Sequence, residues 1–148
     1  LESPMLGTII IKIETAKFCR TLGTMLAGGI PLIKSLSTVT SIISNAVFKD
    51  QVIAIAGNIE KGQLISATIA NQSYFPVLAA KMIMVGEETG NLDGMLLKIS
   101  TIYENEIRLT VKTFTTLFES MVILVLGAVV GFIFLAILLP VFRMNTLL

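Results

Sequence analysis

The stretch that decides the architecture is SMVILVLGAVVGFIFLAILLPVF, residues 120–142. Nineteen of its 23 residues are apolar and none is charged; Glu119 precedes it and Arg143 follows it. About 20 apolar residues rising ~1.5 Å each cross a hydrocarbon core of about 30 Å, so the segment reads as a membrane span. The 148-residue chain is 54% apolar overall, with 11 Lys or Arg against 10 Asp or Glu. Once the span is set aside, enough apolar material remains for one modest helical domain. A net charge of +1 without a basic run excludes an electrostatic nucleic-acid binder. Low charge with abundant Ile and Leu is the opposite of a disordered composition.

Upstream of the span, Leu96, Ile99, Tyr103, Ile107, Phe114 and Phe118 keep a loose three-or-four spacing from Leu92 onward, with a double step of seven between Ile107 and Phe114 and no breaker. They predict one long final helix, amphipathic to Glu119 and hydrophobic all round beyond it, so that the bundle is rigidly continuous with its anchor. Further back, apolar stripes mark helices at Phe18, Leu22, Met25 and Leu26; at Leu32, Leu36, Val39 and Ile43; and at Phe48, Val52, Ile55 and Ile59. A short fourth helix fits residues 64–70, and a fifth stripe runs Leu78, Met82, Val85. Gly28-Gly29, Lys61-Gly62 and Gly86 to Gly90 are stop signals, Pro31 and Pro76 suit helix starts, and Asn91 suits a cap for the last helix. Pro4 and Gly7 discourage regular structure at the start. The expected fold is all-α: a six-helix antiparallel bundle whose last helix continues into a single C-terminal transmembrane helix. Its expected divisions are residues 1–7 as a leader after a preceding, absent span, 8–119 as the bundle, 120–142 as the span and 143–148 as a short tail. A chain starting at Leu1 with no signal-peptide pattern is expected to be a segment of a longer protein.

The composition lacks the usual catalytic parts. There is no histidine, which removes the commonest general base and metal ligand together. No phosphate-binding GxxxxGK[ST] loop is present. The single cysteine, Cys19, has no histidine partner, permits no intrachain disulfide and reads as a small core residue. The expectation is a non-enzyme with no cofactor and no metal. Glu87, Glu88 and Asp93 form an acidic set that carboxylate chemistry would allow to bind Ca²⁺ or Mg²⁺. The favoured reading is that they solvate a helix end and cap the next helix, with Asp93 near its positive end. Glu104 and Arg108, four apart, read as an exposed pair on one helix.

In the span, Gly127 and Gly131 form a GxxxG motif that permits close helix approach in lipid. Pro140 either kinks the helix or ends it at the interface. Glu119 borders the hydrocarbon, where an acid snorkels to the headgroups or pairs with a partner's cation. Arg108 and Lys112 precede the span and Arg143 follows it, so the positive-inside rule places the bundle in the cytoplasm by one charge.

The segment Phe18-Cys19-Arg20-Thr21-Leu22-Gly23-Thr24-Met25-Leu26-Ala27-Gly28-Gly29-Ile30-Pro31-Leu32 resembles the FxRTLxxLLxxGxPL opening of the cytoplasmic repeat in the type II secretion system F family. These are polytopic inner-membrane platform proteins of type II secretion and type IV pilus machines. Further matches keep the family's order. Phe75-Pro76 resembles its FP, Gly86 to Asp93 its GExSGxLD, Tyr103-Glu104 with Glu106 its YExE, and the run from Leu126-Gly127 through Gly131 to Leu139-Pro140-Val141-Phe142 its final span. Pro4 to Gly7 is similar to its PxxG. One departure stands out: Ser120 occupies the place after the acid where the family usually has proline, which implies a straighter final helix.

The resemblance implies the second of two cytoplasmic repeats plus the last of three spans. It also implies a scaffold that docks on a hexameric cytoplasmic secretion ATPase, contacts pilin or pseudopilin transmembrane helices and other inner-membrane assembly proteins, and forms homo-oligomers. Its location would be the bacterial inner membrane, with the bundle facing the cytoplasm. The residues carried over as partner-binding or structural are Arg20, Gly29, Pro31, Pro76, Gly86, Glu87, Gly90, Asp93, Tyr103 and Glu104. Glu119, Gly127, Gly131 and Pro140 are carried over for membrane-helix packing. The rival class is a single-pass signalling adaptor that dimerises through its GxxxG span.

Overall fold

The computed structural model describes residues 4–147, and these form six helices with no strand among them. They are α1 (Pro4–Ala27), α2 (Leu32–Ile42), α3 (Ala46–Glu60), α4 (Ile65–Ala70), α5 (Val77–Thr89) and α6 (Leu92–Thr146). The chain divides into two compact units, one ending at Arg108 and one beginning at Leu109.

In the first unit, helix ends follow local chemistry. At the close of α1, Gly29 takes φ +81°, and its N–H and that of Ile30 donate to the carbonyls of Leu26 and Met25, both at 3.0 Å. Only a residue without Cβ adopts that left-handed turn at no steric cost. Gly90 repeats the device after α5 at φ +69°, with the Asn91 N–H on the Gly86 carbonyl at 2.9 Å. The Asn45 side chain caps α3 by accepting the Phe48 N–H at 3.0 Å.

Pro4 to Gly7, read from sequence as irregular, are instead helical and belong to α1, while residues 1–3 of the expected leader lie outside the described residues. The Thr8 hydroxyl donates back to the Pro4 carbonyl at 2.8 Å.

Every helix of this unit contributes to one core, which includes Phe18 and Leu22 of α1, Leu36 of α2, Val52 and Ile55 of α3, Ile69 of α4, Ile83 of α5 and Leu96 and Ile99 of α6. Phe18, Phe48 and Phe75 meet at its centre, with ring centroids 4.9 to 6.2 Å apart. Such aromatic pairs contribute about 0.5–1.5 kcal/mol beyond their burial.

The α5 stripe is corrected by one position. Its buried residues are Ala79, Ile83 and Gly86, whereas Leu78 and Val85 are 47% and 41% exposed and Met82 is only partly buried. The reason is close packing. A Cβ on Gly86 would stand 3.0 Å from the Cα of Leu92 and the Cβ of Met95. On α1, a Cβ on Gly23 would stand 3.0 Å from Leu96 Cβ and Leu97 Cγ. The first turns of α6 are therefore seated against α1 and α5 through two glycines, and α5 turns inward the face that holds Gly86, with Ala79 and Ile83.

The second unit is helical throughout residues 109–146 and contains a window of mean hydropathy 3.2, long and apolar enough to cross a membrane. Phe114 and Phe118, expected on the amphipathic stripe, are 52% and 70% exposed, so the buried face ends with Tyr103 and the partly buried Ile107. Pro140 does not end the helix, which continues to Thr146 through most of the expected tail. A proline removes one backbone bond, and a helix inside a span tolerates that loss.

These packing constraints yield a first expectation. Gly23→Val and Gly86→Val each lower stability by about 1–3 kcal/mol, because the neighbouring α6 atoms must shift. Gly57→Ala on α3, where a Cβ meets open space, raises it by about 0.5–1 kcal/mol. Thermal unfolding of the chain in detergent micelles, followed by circular dichroism, reads all three.

Candidate functional site

The motif residues gather at two places in the first unit. One is the seam between α1 and α6. Arg20 sits one turn before the glycine contact at Gly23, and its guanidinium meets Glu104 with both arms: Nε donates to Oε1 at 3.1 Å and Nη2 to Oε2 at 2.6 Å. A second ion pair joins the same helices, Lys12 Nζ to Glu106 Oε2 at 2.8 Å. Tyr103 is buried within this seam at 4% exposure, and burial first, then the charge on Glu106, push its phenol up.

The hydrogen bond from Arg20 is the main cause holding the Glu104 carboxyl below its ordinary 4.5, and the same bond raises Arg20. Glu104 thus makes its hydrogen bonds across helices, to Arg20, while the charge of Arg108 on its own helix acts on it as a smaller cause. A planar guanidinium offers a carboxylate two parallel donors in fixed geometry, which outweighs single-point contact along an exposed helix.

The other place is the elbow between α5 and α6. Gly86 allows the close approach, Gly90 turns the chain, and Asp93 stands in the first turn of α6 at the positive end of its dipole. Glu87 turns away from the helix that follows it. Its Oε1 accepts the Ile65 N–H at 2.6 Å and its Oε2 the Ser66 N–H at 3.0 Å, so it caps α4. The sequence places Glu87 beside α6, but only the fold brings the start of α4 to it.

Gly29 and Pro31 lie apart from both places, at the α1–α2 turn, and Pro76 lies before α5. The two prolines directly precede their helices, with carbonyls that accept the N–H groups of Ser35 at 2.9 Å and Ala80 at 3.2 Å. Glu119, Gly127, Gly131 and Pro140 belong to the second unit, where neither Gly127 nor Gly131 has a neighbour within 4 Å of a built Cβ. Among the described residues no three His, Cys, Asp or Glu side chains converge on a metal position. Cys19 is fully buried, and burial pushes its thiol far up, so it is an inert core group.

Sequence reading passed over Gly23, Asn45 and the Lys12–Glu106 pair. Gly23 carried a usable signal, since a glycine inside a helical stripe costs about 1 kcal/mol and so points to a packing reason. The ion pair carried none, because its partners are far apart in the chain.

Two measurements test these roles. Glu104→Gln lowers stability at neutral pH by about 0.5–1 kcal/mol, a surface-pair magnitude, since the paired side chains are 43% and 39% exposed. The carboxyl's folded pKa lies below its unfolded one, so the pair's contribution is present above about pH 4.5 and fades as pH falls through the folded value. Urea titrations should show wild type and variant converging in acid. A gap that persists at about pH 2 would assign the loss to packing instead. Glu87→Ala, which strips α4 of its cap, costs about 1–2 kcal/mol. Hydrogen exchange should then speed up at the Ile65 and Ser66 amides.

Comparison of the sequence with known proteins shows the family. Residues 18–140 match the family model for the type II secretion system (T2SS), protein F. The chain is 38% identical over 98% of its length to the type IV pilus assembly protein PilC of Pseudomonas aeruginosa, of which it covers 39%. It is 33% identical over 97% of its length to the PilC of Thermus thermophilus, covering 36% of it. It is also similar to the type II secretion system protein F of Pseudomonas aeruginosa, at 31% identity over 99% of this chain and 36% of that protein. The chain thus spans less than two fifths of the length of these relatives. The matched region takes in both glycine contacts, the Arg20–Glu104 seam and all but the last two residues of the apolar segment, and the chain belongs to the type II secretion system protein F family.

Proposed function

We propose that this chain is part of a non-enzymatic platform protein of the bacterial inner membrane, which couples a cytoplasmic secretion or assembly ATPase to pilin or pseudopilin subunits. The observation that carries the reading is α6: one helix whose first turns are locked into the core at Gly23 and Gly86 and whose later residues form the apolar segment. A helix shared by a docking bundle and a membrane anchor is a route by which tilt or rotation of one reaches the other. Under this reading Arg20, Glu104, Glu87 and the glycines keep the bundle rigid. The open sides of Gly127 and Gly131, with Glu119 at the border, receive other membrane helices, including those of further copies.

Arg108 and Lys112 before the apolar segment, against Arg143 after it, support a cytoplasmic bundle. The relatives named for pilus assembly and for type II secretion support either machine.

Replacing Phe118 and Glu119 together by Gly-Gly, in the complete gene, tests the coupling. Pilus assembly or secretion should be lost while membrane level and bundle helicity persist. An Ala-Ala replacement at the same positions, which keeps the helix intact, should retain activity if coupling needs helix continuity. Equal activity of the two variants would refute the coupling.

A further inference from the structure

Glu14 stands apart from the charges described above. It lies on α1, one turn before Phe18, and is only 4% exposed. Its Oε1 has Lys17 Nζ at 3.6 Å, but the lysine side chain is 47% exposed and stays largely in water. Its Oε2 is buried and has no hydrogen-bond partner. Removing a carboxylate from water costs several kcal/mol unless a partner compensates, and a half-solvated lysine at that distance compensates weakly. Glutamate is almost never buried in this way without a partner.

Glu14 also lines a groove of about 460 Å³. Its other walls include Leu6 and Ile10 of α1, Val47 and Phe48 at the start of α3, and Tyr74. The apolar surface extends past the groove, since Met5, Leu6 and Val47 are 63%, 55% and 48% exposed. An apolar trough with a single buried acid is complementary to a cation on an apolar stem, and the wider apolar rim calls for more than a small amine.

We propose that this groove docks an apolar helical segment of a partner protein that directs one lysine or arginine toward Glu14. The segment's apolar residues cover Leu6 and Val47, and its cation supplies Oε2 of Glu14 with the partner it lacks. The occupant is defined by that chemistry and does not depend on the platform reading.

The chain contains no tryptophan, so Val47→Trp places a single reporter at the groove. The whole chain carrying this reporter, in lipid nanodiscs, is titrated with a synthetic apolar helical peptide bearing one central lysine. The same peptide with norleucine in place of lysine is the comparison. With Glu14 intact, the lysine peptide should bind at least about tenfold more tightly, the scale of a desolvated charge pair. In Glu14→Gln the two peptides should bind alike. Equal binding with Glu14 intact, no change in tryptophan emission with either peptide, or an undiminished lysine preference in Glu14→Gln would each overturn the proposal. The comparison of peptides on the Glu14 protein decides the matter even if Glu14→Gln fails to fold.

Discussion

The first unit depends on how closely α6 approaches its neighbours. A Cβ at Gly23 on α1 or at Gly86 on α5 would press to 3.0 Å against the first turns of α6. Helices that touch through backbone bring the larger side chains around them into full contact, and interiors at crystal-like density leave little slack to absorb even one methyl group. Leu96 and Ile99, next along α6, are fully buried as a result, and α5 presents Ala79 and Ile83 to the core in place of its larger neighbours.

The charges work around that contact. Arg20 and Lys12 leave α1 on the side of α6 and meet Glu104 and Glu106, so two ion pairs hold the register that the glycines permit. Both pairs are partly in water and contribute modestly to stability. Their larger effect is geometric, because a two-armed guanidinium accepts its carboxylate in one orientation. Glu87 does similar work elsewhere: it spends both oxygens on the backbone of α4, a helix of six residues that is too short to be stable alone. Glu87, which reads from sequence as part of an acidic patch, is thus tied into the fold by its backbone contacts, whereas Oε2 of the buried Glu14 has no such partner.

Six helices were legible because the signals for them are local. Stripes at three-and-four spacing, glycines in left-handed turns and prolines at helix entries act within a few residues, and α1, α2, α3 and the start of α6 bury the faces their stripes predict. The failures share one cause. The α5 stripe, the Glu104–Arg108 pair and the cap expected from Glu87 were each assigned by nearness in the chain, while their partners come from helices distant in sequence. Pro4 and Gly7, read from sequence as breakers, lie within α1.

What the sequence by itself determined is the all-helical class, the places where helices stop and the apolar segment at residues 120–142, because hydrophobic period, turn chemistry and span length are properties of consecutive residues. Only the tertiary structure decided which face of α5 turns inward, which base holds Glu104, which helix Glu87 caps and that Glu14 lies buried in a groove. Each of these is a choice among several chemically adequate partners, made by which backbones can approach, and that depends on all the helices at once.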